Sequence, residues 1–134
     1  MARLIRDPID PTAPLRIAGA RNGAVLTFLG VVRETSRGRR VTGIEYQAYE
    51  EMAARELARI EDEVRREWPE VSIEIVHRVG ALKVGDAALL VAVASPHRTE
   101  GFEALRRAVE RIKGTVPIWK KEIYDDGHEW IEGS

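Results

Sequence analysis

Eight consecutive apolar residues, Ala87 to Ala94, constrain this chain more than any other stretch. The run is far shorter than the ~20 residues a membrane-spanning helix requires. It follows a turn over Gly80–Asp86 and stops at Ser95-Pro96, so it reads as a β-strand buried on both faces. What comes next is as informative. Ser95-Pro96-His97-Arg98 sets an imidazole and a guanidinium where that strand gives way to a helix. The helix closes at Lys113, and Val116-Pro117-Ile118-Trp119-Lys120-Lys121-Glu122 adds two more lysines. A helix N-terminus already carries partial positive charge and free N–H groups, so further cations there are unfavourable unless something negative binds. The stretch from Ser95 to Glu122 therefore reads as an anion site.

The remaining elements follow from periodicity. Residues 1–22 are proline-rich, with Asp10-Pro11 as N-cap and first position of a short helix ended by Gly19. Ala24–Val32 is apolar at nearly every position and predicts a second strand buried on both faces. Arg33–Arg40 is a polar loop, and Val41–Tyr49 alternates as a half-buried strand. Glu50–Trp68 is a helix whose stripe is Ala53, Leu57, Ile60, Val64 and Trp68, with Glu51–Arg55, Glu61–Arg65 and Asp62–Arg66 as solvated i,i+4 pairs. Pro69 stops it. Val71–Val79 alternates again, bringing His77 onto an apolar face. A second helix over Thr99–Lys113 has the stripe Phe102, Leu105, Val109 and Ile112, with Gly114 at C′. Ile118–Tyr124 and His128–Glu132 form a hairpin about Asp126-Gly127. The order is β-β-α-β-β-α-β-β, an α+β fold with two long helices packed on a mainly antiparallel sheet, related to the split β-α-β arrangement. At 134 residues this is one domain, 1–134.

Composition removes several function classes. A net charge of -1 is not that of a nucleic-acid or membrane polycation. The absence of cysteine excludes a disulfide framework, a thiolate nucleophile and thiolate metal ligands, and fits a cytoplasmic setting. The N-terminus lacks the apolar core of a signal peptide. No phosphate-loop, dinucleotide or serine-hydrolase signature occurs. His97 and His128 are too far apart in sequence for a metal site, and no carboxylate–histidine spacing supports one. His97 and Arg98 divide evenly between an anion pair and exposed turn residues. Lys113 has a bland alternative, complementing the helix dipole. Lys120 and Lys121 are adjacent in a strand, so only one can share a site with Lys113. Arg33 ends a strand and is within reach of the same pocket, though a loop arginine needs no function. Arg37, Arg39 and Arg40 lack interleaved aromatics, which leaves RNA binding weak. His77 reads as a satisfied core histidine. A cation-flanked lysine has a lowered pKa and can act as acid, base or nucleophile. The residues alone reach a small-molecule anion site with catalytic lysines.

A resemblance extends this. Gly23-Ala24-Val25 with Phe28-Leu29-Gly30-Val31-Val32-Arg33, Ile44-Glu45-Tyr46, and Val76-His77-Arg78-Val79-Gly80-Ala81-Leu82 with Gly85-Asp86 come in that order. Together with Ser95-Pro96-His97-Arg98 and the Lys113 to Glu122 segment, they resemble the large, catalytic subunit of molybdopterin synthase, the MoaE family, from about Gly23 to Glu132. The resemblance implies the family's α/β-hammerhead type of fold and a sulfurtransferase activity. In that activity, sulfur passes from the C-terminal Gly-Gly thiocarboxylate of a small ubiquitin-like subunit to cyclic pyranopterin monophosphate, forming the molybdopterin dithiolene. Carried over by motif, Lys113 and Lys120 are the catalytic lysines. Arg33, His97 and Arg98, with both lysines, hold the substrate's anionic groups. The implied assembly is a central homodimer with one small subunit at each end, and the resemblance implies that the step requires no metal or organic cofactor. Longer relatives continue past the position of Ser134 with polar and basic residues, so if such a tail helps complete the neighbouring subunit's pocket, this chain is expected to manage without it or to use another group. The alternative is a non-catalytic module that captures a ubiquitin-like tail or a phosphorylated ligand with the same pocket.

Overall fold

The computed structural model describes residues 2–132; the expectation about the chain's end at Ser134 lies outside them. Along the chain run β1 (Arg3–Ile5), a 3-10 turn (Ala13–Arg16), β2 (Ala24–Val31), β3 (Thr35–Ser36), β4 (Arg39–Ala48) and α1 (Glu50–Glu67). After them come β5 (Ser72–Arg78), β6 (Gly80–Lys83), β7 (Ala87–Ser95), α2 (Arg98–Thr115), β8 (Ile118–Tyr124) and β9 (Gly127–Glu132). The architecture is α+β, two helices against mostly antiparallel sheets. The first sheet has the order β1-β5-β7-β2; the second is β3-β4-β8-β9, with β6 on the free side of β4. The β1–β5 pair is parallel.

The apolar run is the middle of the first sheet. β7 pairs with β2 on one side and β5 on the other and is buried from Ala88 to Ser95. α1 buries Ala53, Leu57, Ile60 and Val64 against β5 and α2. These positions fall three or four apart and form one stripe. α2 lies on β7 and β2 and then leads to β8, so its C-terminal turn arrives beside the second sheet. The sheets meet where Tyr46 of β4 stands edge-on to His77 of β5, with ring centroids 5.2 Å apart.

Several sequence expectations are corrected, each for a physical reason. β2 alternates instead of being buried throughout, because it is the edge of its sheet and only one face is covered. The buried stripe of α2 is Gly101, Ala104, Ala108 and Ile112, while Phe102 is 61% exposed. The helix sits too close to the sheet for a large residue. A Cβ on Gly101 would stand 2.6 Å from Leu26 Cδ1 and 2.7 Å from Ser95 Oγ. Gly114 lies inside α2, which ends at Thr115 with Val116 as C-cap. Asp10 does not start a helix; its carboxylate accepts from the Thr12 amide and hydroxyl, and the 3-10 turn follows. Residues 80–86 are more than a turn, since β6 pairs with β4. The 33–40 segment is a hairpin whose turn residues, Arg37 and Gly38, have φ of 50° and 78°, as a type I′ turn requires. Glu61 is not solvated but 2% exposed, accepting the Ile75 N–H at 3.0 Å and tying α1 to β5.

Candidate active site

A cavity of about 230 Å³ opens where the end of β2, the β3–β4 hairpin, the tail of α2 and β8 converge. Arg33 and Lys113 line it and are exposed residues; Lys120 lines it half-buried, and His77 and Glu122 are buried in its wall beside apolar residues such as Ile44 and Leu89. Each arrives for a local reason. Arg33 follows the last residues of β2, and Lys113 sits in the last turn of α2. Lys120 lies opposite Tyr46 in the β4–β8 ladder, and strand alternation then turns Lys121 to the other face. Lys121 lies over the Trp130 ring, 5.7 Å from its centroid.

Desolvation and charge separate these groups chemically. Loss of water at the cavity wall, then the charge of Lys120, lowers the pKa of Lys113 below that of an ordinary lysine. Lys120 Nζ is 3.8 Å from Glu122 Oε2, and the Tyr124 hydroxyl donates to Glu122 Oε1 at 2.8 Å. Burial pushes the Glu122 carboxyl up, but hydrogen bonds from the Tyr124 and Ser36 hydroxyls and the charges of Lys120 and Arg37 outweigh it and hold the group below its ordinary value. Arg37 Nη2 lies 3.7 Å from Glu122 Oε1, so the hairpin is tethered over the cavity by an ionised carboxylate. The result is an anion-attracting chamber with one lysine of reduced basicity. Such a lysine gives up its proton more readily than an ordinary lysine does.

The structure divides the cationic stretch that the sequence presents as one unit. Arg33, Lys113 and Lys120 come together, but His97 and Arg98 do not join them within the chain. His97 is the N-cap of α2 and its side chain is 84% exposed, 3.6 Å from Glu100 Oε1. Fifteen residues of helix separate Arg98 from Lys113, roughly 22 Å at 1.5 Å per residue. Conversely, His77, Glu122, Thr35 and Ser36 face the cavity although the sequence reading did not assign them to it. Glu122 was findable, since it follows Lys120 by two in a strand and so shares its face. His77 was not, because an apolar strand pattern looks the same whether the far side is core or cavity.

A family model described as MoaE protein matches residues 4–115. The chain belongs to the MoaE family. A molybdopterin synthase catalytic subunit from Staphylococcus carnosus is 52% identical over 109 residues, 81% of this chain and 73% of that one. The subunit of the same name from Bacillus subtilis is 51% identical over 109 residues, 81% of this chain and 69% of the relative. Among solved structures, molybdopterin synthase from Staphylococcus aureus superposes with a TM-score of 0.91 at 43% identity, covering 96% of this chain and 94% of the other. The MoaE protein of Burkholderia ambifaria matches at 33% identity with a TM-score of 0.83, over 98% and 88% of the two chains. The match at this level makes the two-sheet, two-helix frame that of MoaE, with the cavity at the junction of its sheets.

Proposed function

We propose that this MoaE chain is the catalytic subunit of a molybdopterin synthase, a single domain that works in the cytoplasm. It moves sulfur from the thiocarboxylated C-terminus of a small ubiquitin-like subunit to cyclic pyranopterin monophosphate. The observation that carries this reading is the junction cavity, where Lys113 of lowered basicity faces Lys120 and Arg33. A phosphate and a thiocarboxylate have to share one pocket, and at an effective dielectric near 20 two unit charges 4 Å apart repel by about 4 kcal/mol. Arg33 and Lys120 offset that repulsion. The thiocarboxylate sulfur bonds to a ring carbon as the C–O bond at that carbon breaks. Water then cleaves the acyl–sulfur bond, returning the carrier as a carboxylate and leaving the sulfur on the ring, and a second thiocarboxylated carrier delivers the second sulfur. Lys113 supplies the proton to the departing oxygen. Lys120, ion-paired to Glu122, is the fixed cation beside the developing oxyanion.

The same reading gives His97 and Arg98 a place through a homodimer. β2 ends the first sheet and pairs only with β7 among the described strands, and Val25, Leu29 and Val31 on it are exposed. A long edge strand with apolar side chains is a template for another copy. Antiparallel pairing of β2 with its own copy about a two-fold axis sets the start of one strand beside the end of the other. The start, at Ala24, is paired to Ser95 and so adjoins His97 and Arg98; the end, at Val31, lines the cavity. Each pocket then receives an imidazole and a guanidinium from the second copy.

The test combines the purified chain, a thiocarboxylated small subunit and cyclic pyranopterin monophosphate. Dithiolene formation that disappears in Lys113→Ala, with small-subunit binding retained, is the expected result. A stable complex that makes no product overturns the enzyme reading and leaves a binding module.

A further inference from the structure

The chemistry above uses cations and leaves the most deeply buried polar ring at the cavity without a task. His77 lies near the end of β5, is 1% exposed, and contributes to the cavity wall. Its Nδ1 is 2.9 Å from the carbonyl oxygen of Arg78. A carbonyl only accepts, so Nδ1 carries the proton. The edge-on contact with Tyr46 fixes the ring plane from the other side. Burial, aided by the nearby Lys113 ammonium and only partly opposed by the Arg78 carbonyl, depresses the imidazole pKa to about 4. The ring is therefore neutral at physiological pH, and Nε2 is a bare acceptor. No described residue donates to it. A buried polar atom without a protein partner is uncommon, and water or a ligand group completes it.

The chemistry of the wall says which group. Arg33, Lys113 and Lys120 and the hydroxyl of Thr35 are donors there, and Glu122 is already engaged by Tyr124, Ser36 and Lys120. Donors recognise the phosphate of any phosphorylated ligand and do not distinguish the ring attached to it. An acceptor held in one tautomer does, because a ligand lacking the matching N–H leaves it unpaired.

We infer that His77 is a specificity residue whose Nε2 accepts a hydrogen bond from a ring N–H of the bound heterocycle. This rests on the proposed pyranopterin reaction at the same site. It makes the pocket a reader of the fused ring as well as of its phosphate.

Three substitutions separate this role from a structural one. His77→Asn keeps a donor for the Arg78 carbonyl but presents no acceptor at the Nε2 position. His77→Phe keeps the ring against Tyr46 and removes both nitrogens. His77→Gln places a carbonyl oxygen near the position of Nε2. In the reconstituted complex, Asn and Phe should each raise the KM for cyclic pyranopterin monophosphate about tenfold. The kcat and the affinity for the small subunit should hold, and Gln should return KM toward the wild-type value. A folded Phe variant with unchanged KM overturns the inference alone, whereas a wild-type protein that neither binds nor converts the pyranopterin overturns it together with the proposed reaction. A readout without mutation is the ¹⁵N spectrum of histidine-labelled wild type. Adding the pyranopterin without sulfur donor should shift the unprotonated Nε2 resonance upfield, and an unmoved resonance at saturation is the contrary result.

Discussion

Helix α2 ends in cations at both termini, and the two termini are different chemical media. At its start, His97 and Arg98 stand in water, with Glu100 as the near carboxylate. At its end, Lys113 faces a cavity where lost hydration and a second ammonium make it less basic. Charges 4 Å apart interact by about 1 kcal/mol in bulk water and about 4 kcal/mol at an effective dielectric of 20. Basic side chains joined by one rigid helix therefore stand in different surroundings. At the C-terminal end the cavity itself loosens the hold on a proton; at the N-terminal end the side chains face water and meet what is brought to them. The difference also shows in how each end is held. The start is fixed to the sheet by Gly101, which lets α2 approach Leu26 and Ser95, while the end is built around polar groups from three other strands.

Four experiments can break this contrast or sharpen it. Lys113→Ala should lower turnover by roughly 10²–10⁴-fold, the range for loss of a proton-transferring group, with an unchanged urea midpoint; a lowered midpoint would make Lys113 structural. Next is the pH dependence of stability at the cavity. Folded His77 titrates near 4, below the 6.5 of an unperturbed histidine, so the unfolded chain takes up the proton first as pH falls. The resulting stability is present above about pH 6.5 and lost toward pH 4, of order 3 kcal/mol. In urea titrations His77→Phe should lose less stability over that interval than wild type, and an equal loss would show that another group carries the pH dependence. Third, Gly101→Ala should destabilise by about 1–3 kcal/mol despite alanine's better helix propensity. An equal or higher midpoint would show that α2 can lift from the sheet at no cost. Last, Arg98→Ala should raise the KM for the pyranopterin about tenfold and leave the unfolding midpoint where it was, because the side chain is exposed. An unaltered KM would confine the site to one protomer.

Much of the frame was legible in the chain. The run from Ala87 to Ala94 could only be a central strand, and the spacing of Ala53, Leu57, Ile60 and Val64 could only be a helix stripe. What periodicity does not encode is which side of an element is covered. β2 reads as fully buried because both its faces are apolar, yet one is open; Phe102 reads as core because its spacing fits, yet glycine beside it has drawn the sheet too near. The site was half legible for the same reason. Lys113 and Lys120 announce themselves through position, but neighbours in sequence are not neighbours in space when a helix intervenes, and within one chain His97 and Arg98 stand apart from the lysines. His77 and Glu122 belong to the cavity through the meeting of two sheets, which local patterns do not carry.

The open edge of β2 has a genetic consequence. If each pocket takes its lysines from one copy and its His97–Arg98 pair from the other, the gene product is inherited as a shared reagent, not a self-sufficient one. An allele disabled at Lys113 and another disabled at the His97–Arg98 pair would each, alone, assemble no pocket with both halves intact. Expressed in one cell, they would assemble mixed pairs in which one pocket inherits both intact halves, and growth that depends on the product would return.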